Sequence, residues 1–172
     1  AKTVNFGIIY GVSAFGLSNQ TNLSRKESKE LIETYYNKYP KLKEYIAAQI
    51  AFARDKGYVE TLLGRRRYLK DINSSNSVVR GGSERNAINA PIQGSAADII
   101  KIAMINIQSK LINRAYKSKM LLQVHDELVF DVFKPELNDI ISLVKEEMEN
   151  AFSLKVPLDI DMNYGENWLE AH

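Results

Sequence analysis

The sequence predicts an α+β protein, a helix-rich lobe followed by part of an antiparallel sheet covered on one face by helices. Two observations lead there. Apolar and aromatic residues recur at helical spacing through most of residues 1–116. After them, two short apolar runs flank a polar turn, then a helical pattern and an alternating run follow, giving the order β-β-α-β. A length of 172 residues allows one sizeable core with a small second lobe. The division is expected at 82/83. Residues 1–82 would form a helical lobe with a short hairpin, and 83–172 a long broken helix, a hairpin, a helix and a C-terminal strand.

"KTVNFGIIYGVSAFGLSNQ" reads as one helix despite Gly7, Gly11 and Gly16, because Lys2, Phe6 and Tyr10 recur every four residues. In "LSRKESKELIETYYNKYP", Ser24 and Glu27 form a capping box ahead of the stripe Leu31, Ile32, Tyr35 and Tyr36. "KLKEYIAAQIAFARDKG" is a third helix, closed by Gly57. "YVETLLGRRRYL" alternates around a Leu-Gly turn and predicts a hairpin, and "KDINSSNSVVRGGS" a polar loop. The next segment is helical on both sides of a break expected at Pro91 and Gly94, with Ser95 and Asp98 offering a second capping box. Strands are expected near 119–124 and 127–133. Pro135 falls at the first position of the following helix, and "VPLDIDMNYG" closes as a strand.

Composition bounds the chemistry. The chain is 45% hydrophobic and 26% charged, as globular proteins are, and has no cysteine, which excludes disulfides and thiolate catalysis. No apolar run is long enough to cross a bilayer. The first residues show no signal-peptide pattern, and the absence of an initial Met suggests a processed or excised piece. The net charge of +2 conceals an asymmetry: residues 1–119 carry 20 Lys/Arg against 9 Asp/Glu, and residues 120–172 carry 3 against 12. The basic part suits a polyanion and the acidic part a divalent cation, although two solvated surfaces of opposite sign would look the same.

Four constellations carry possible chemistry. Lys2, Phe6 and Tyr10 lie along one helical face, where a cation and two rings suit a nucleotide; equally, the rings could be core and the lysine merely exposed. Arg65, Arg66 and Arg67 on a hairpin suit phosphate contact or plain solubility. Arg85, Asn89 and Gln93 make a polar stripe in an Ala/Ile-rich helix. Such a stripe can read minor-groove acceptors or satisfy a bent backbone. In "LLQVHDELVFDV", Asp126 is a hard oxygen donor in a turn between strands, with His125 and Glu127 beside it. That suits magnesium, which needs only one or two carboxylates when phosphates complete its shell, while a solvated hairpin tip is the plain alternative. A His-Asp phosphohydrolase needs more histidines than His125 and His172, and no P-loop or Rossmann fingerprint is present.

The order of these features resembles family A DNA polymerases. "KTVNFGIIYG" is similar to their motif B, K-x-x-x-F/Y-G-x-x-Y-G, and "LLQVHDELVFDV" to motif C. "ERNAINAPIQGSAADIIK" resembles the segment between them, and "GENWLEAH" the C-terminus of the bacterial enzymes. The resemblance covers the whole chain and implies fingers followed by part of the palm of the polymerase fold. It implies that Lys2 holds the incoming triphosphate, with protonation of the leaving pyrophosphate a further role, that Phe6 lies against the sugar, and that Tyr10 stacks near the nascent base pair. Phe rather than Tyr at position 6 implies discrimination against dideoxynucleotides. Arg85, Asn89 and Gln93 would touch the primer-template minor groove and His125 the primer end. Asp126 would bind Mg²⁺, with Glu127 supporting it. The implied reaction is two-metal phosphoryl transfer in replication and repair, in the bacterial cytoplasm, with primer-template DNA and dNTP as partners and no membrane.

The family's motif A, a D-Y-S-x-I-E-L-R strand with a further metal-binding aspartate, is not in these residues. Two expectations follow: the chain alone does not polymerise, and its open palm surface makes it self-associate. The competing expectation is a nucleic-acid-binding module without catalysis.

Overall fold

The computed structural model describes residues 2–171, which are mainly helical with two small antiparallel sheets. They divide into two compact units, Ala1–Ser95 and Ala96–His172.

The first unit opens with α1 (Lys2–Ile9) and α2 (Ala14–Gln20). The single helix expected here is interrupted at Gly11, which takes φ +75°. A Cβ at Gly11 would come 2.7 Å from Ile88 Cδ1, so this turn packs tightly against a distant helix. Ser13 then caps α2, its Oγ accepting from the Gly16 N–H at 3.0 Å. Helix α3 (Arg25–Lys38) begins at the expected capping box, with both the Ser24 and Glu27 bonds formed. Helix α4 (Pro40–Lys56) ends at Gly57, left-handed at φ +75°.

The expected hairpin is β1 (Tyr58–Glu60) and β2 (Arg66–Tyr68), paired Val59↔Arg67. Val59 is fully buried in a core with Ala53, Leu69, Ile72 and Ala87, which places one hairpin face between α4 and the next helix. That helix, α5 (Ser77–Asn113), starts inside the segment expected to be loop and runs unbroken through Pro91. Ser95 does not cap a second helix. Its Oγ donates to the Pro91 carbonyl at 2.5 Å and accepts from the Leu62 N–H at 2.9 Å. The hydroxyl thus binds the helix to the hairpin loop, and Gly94 allows that loop its close approach.

In the second unit, β3 (Lys119–Val124) and β4 (Glu127–Asp131) form the expected hairpin, with an irregularity between Met120 and Leu122. Pro135 lies in a 3-10 turn, Lys134–Glu136, and α6 (Leu137–Glu149) starts just after it. Ala103, Ile107 and Leu111 of α5 pack with Ile140, Leu143 and Val144 of α6, and Leu128 and Phe130 join them from β4. One face of the hairpin is therefore covered by helices, as expected. The strand expected over 156–165 does not form; a strand is held by a neighbour's ladder, and none is hydrogen-bonded to it among the described residues. A short α7 (Trp168–Ala171) ends the described chain.

Candidate functional site

Helix α1 buries Ile8 completely and leaves Lys2 and Phe6 exposed, Phe6 by 46%. Phe6 and Tyr10 stack with ring centroids 6.2 Å apart and planes 19° from parallel. Of the two readings open from the sequence, core packing therefore fails for Phe6, while Tyr10 is half-buried. The resulting surface joins a cation and an aromatic step, a form suited to a nucleotide's phosphates and rings.

On α5, Arg85 and Gln93 are exposed and Asn89 is half-buried. Asn89 Oδ1 is shielded from solvent with no hydrogen-bond partner among the described residues. A buried amide oxygen without a donor is uncommon. Gly81 and Gly82 sit beside the Arg85 guanidinium, each leaving about a methyl's width of room.

The arginine run divides by strand alternation. Arg65 donates to the Gly94 carbonyl at 3.1 Å and Arg67 to Asn86 Oδ1 at 3.4 Å, so both reach α5. Arg66 points the other way, pairing with Glu60 at 2.8 Å and lying 4.5 Å over the Tyr58 ring. The Glu60 hydrogen bond, then the Tyr58 and Tyr68 phenols, hold its guanidinium pKa above the usual value. These arginines secure the hairpin.

Asp126 stands in the two-residue turn between β3 and β4, closed by the pair Val124↔Glu127. His125 precedes it at φ +55°, a left-handed conformation that costs a non-glycine residue about 1–3 kcal/mol. The His125 carbonyl accepts from Gln123 Nε2 at 2.7 Å, which helps hold that shape. All three ionisable side chains of the turn are exposed. The turn carries them into solvent. Their donor set is two adjacent carboxylates, the hard oxygen type that magnesium prefers. Among the described residues no three His, Asp or Glu side chains gather into a complete metal cluster. An ion held at Asp126 and Glu127 would have to take most of its ligands from water and phosphate.

Of the expected site residues, Lys2, Phe6, Tyr10, Arg85, Asn89 and Gln93 lie in the first unit and His125, Asp126 and Glu127 in the second. Sequence reasoning passed over Tyr35, whose phenol bonds to α1; read as part of an apolar stripe, it gave no sign of a polar partner.

A model of DNA polymerase family A matches residues 1–170. The chain belongs to DNA polymerase family A. It is 57% identical over 171 residues to DNA polymerase I of Streptococcus pneumoniae, a match covering 99% of this chain and 20% of that protein. DNA polymerase I of Lactococcus lactis subsp. cremoris is 56% identical over the same length, again at 99% and 20% coverage. Among solved structures, the POL domain of Pol1 from M. smegmatis, in complex with DNA primer-template and dNTP, superposes with a TM-score of 0.95 at 46% identity. That match covers 99% of this chain and 30% of the other. This family A chain spans about a fifth of the length of the curated relatives it matches. No described helix is long and apolar enough to cross a membrane.

Proposed function

We propose that this chain is the fingers and part of the palm of a bacterial DNA-directed DNA polymerase, which adds deoxynucleotides to a primer 3′-hydroxyl in replication and repair. The observation that carries the reading is the outward face of α1, with Lys2 and Phe6 exposed and Phe6 stacked on Tyr10 above a buried Ile8. The ammonium of Lys2 binds the triphosphate of the incoming nucleotide and gives a proton to the departing pyrophosphate. Phe6 lies against the sugar, leaving no hydroxyl there, and Tyr10 flanks the nascent base pair.

Arg85, Asn89 and Gln93 donate to minor-groove acceptors of the primer-template, which occur at every base pair and so position without selecting sequence. His125 meets the primer end. Asp126, supported by Glu127, would hold Mg²⁺, which in a two-metal site would supply neutralisation of charge on the attacking and leaving oxygens. The primer 3′-oxygen attacks the α-phosphate, the bond to the β-phosphate oxygen breaks, and pyrophosphate departs.

These 172 residues alone supply two adjacent carboxylates for that site, so the isolated chain is inactive and its open sheet surface favours self-association. The deciding experiment is primer extension by the polymerase that carries this sequence, with and without Asp126→Ala. Extension lost in the variant while duplex binding persists is the expected result. Duplex binding with no extension by the unmutated polymerase would instead make the protein a non-catalytic binding module. Extension by the isolated chain, abolished by Asp126→Ala, would refute its inactivity.

A further inference from the structure

Helix α1 has eight residues, too few to be stable alone, so its orientation is set by what it touches. Ile8 anchors it beneath. From α3, the Tyr35 hydroxyl donates to Asn5 Oδ1 at 2.5 Å, and the Tyr36 hydroxyl donates to the Ile8 carbonyl at 3.4 Å. The two contacts constrain different motions. A bond to a backbone carbonyl near the helix axis holds the end of α1 in place but tolerates rotation. A bond to the Asn5 side chain, at the helix rim, fixes rotation about the axis. Asn5 immediately precedes Phe6 and lies about one turn from Lys2, so its azimuth sets theirs. Tyr35 is itself held, its ring 4.8 Å from that of Tyr39, and α3 is locked at its start by the Ser24–Glu27 capping box.

We infer that Tyr35 is a positioning residue for nucleotide binding, acting through Asn5 to aim the Lys2–Phe6 face of α1. The inference rests on the reading of α1 as the nucleotide-binding helix. Asn5 is exposed and water can replace the bond, so its loss disturbs aim more than folding.

The test is single-nucleotide incorporation by the polymerase that carries this sequence, comparing Tyr35→Phe, Asn5→Ala, the double variant and Lys2→Ala. For Tyr35→Phe, KM for dNTP should rise about three- to tenfold, the range one hydrogen bond supports. The kcat, primer-template affinity and melting temperature should stay close to those of the parent. Asn5→Ala should match it, and the double variant should add nothing further. An unchanged KM, additive effects, or a fall in melting temperature with kcat and KM both impaired would overturn the proposal. If Lys2→Ala leaves kcat and KM unchanged, the nucleotide-binding reading itself fails; if Lys2→Ala is impaired and Tyr35→Phe is not, the role of Tyr35 alone falls.

Discussion

Gly94 and Thr61 are in such close contact that a Cβ built at Gly94 would come within 2.6 Å of Thr61 Cγ2. Thr61 cannot simply turn away, because its Oγ1 accepts from the Arg65 N–H at 3.1 Å. Gly94→Ala would normally gain about 1 kcal/mol in a helix interior. Here the overlap should dominate, for a net loss of about 1–3 kcal/mol in denaturant unfolding. Adding Thr61→Ser removes the clashing methyl, keeps the hydroxyl, and should restore stability. Failure of that rescue would place the strain elsewhere.

Ser95 supplies the second tie between hairpin and helix. Ser95→Ala leaves the Leu62 N–H without its acceptor in a part-buried place, which should cost about 1–3 kcal/mol. Urea midpoints of the two proteins measure it. A change below about 0.5 kcal/mol would mean that water replaces the hydroxyl.

Glu136 fastens the base of the second hairpin. Its carboxylate accepts from the Lys117 and Ser118 N–H groups at 3.0 and 2.9 Å and from the Ser118 hydroxyl at 2.6 Å. Partial burial pushes its pKa up, but these donors and the Lys117 charge outweigh that and hold it below the ordinary 4.5. With the folded value depressed, the stabilisation is fully present above 4.5 and is lost as pH falls through the folded pKa. Melting temperature should therefore decline below about pH 4.5 more steeply in the parent than in Glu136→Gln. Parallel curves would remove Glu136 from the acid response.

What was legible in the sequence was local chemistry. The Ser24–Glu27 box, the Gly57 cap and the turn carrying Asp126 each depend on neighbours a few residues away, and each formed. What was not legible depends on distant partners. The four-residue recurrence of Lys2, Phe6 and Tyr10 continues straight through Gly11, and the break there is tied to Ile88. At Pro91 the local rule predicts a break, yet the helix continues where the hairpin loop and Ser95 brace it. Alternation over 156–165 was readable, but a ladder needs a partner that alternation does not specify. In the same way, the shared face of Lys2 and Phe6 can be read from their spacing, while the bond from Tyr35 to Asn5 spans thirty residues of sequence.

The uncovered side of β3 carries the last prediction. Leu121 and Leu122 are 57% and 45% exposed beside the irregularity in the β3–β4 ladder. A two-stranded sheet leaves an outer edge on both strands, and an apolar edge is a template for another chain. The isolated 172-residue chain should therefore self-associate at concentrations on the order of tens of micromolar, read by light scattering. Leu122→Lys places a charge on that surface and should shift the chain toward monomer without unfolding it, since Leu122 is not part of the buried cluster. A monomeric parent at those concentrations refutes the prediction. Association that Leu122→Lys leaves intact would move the contact away from β3.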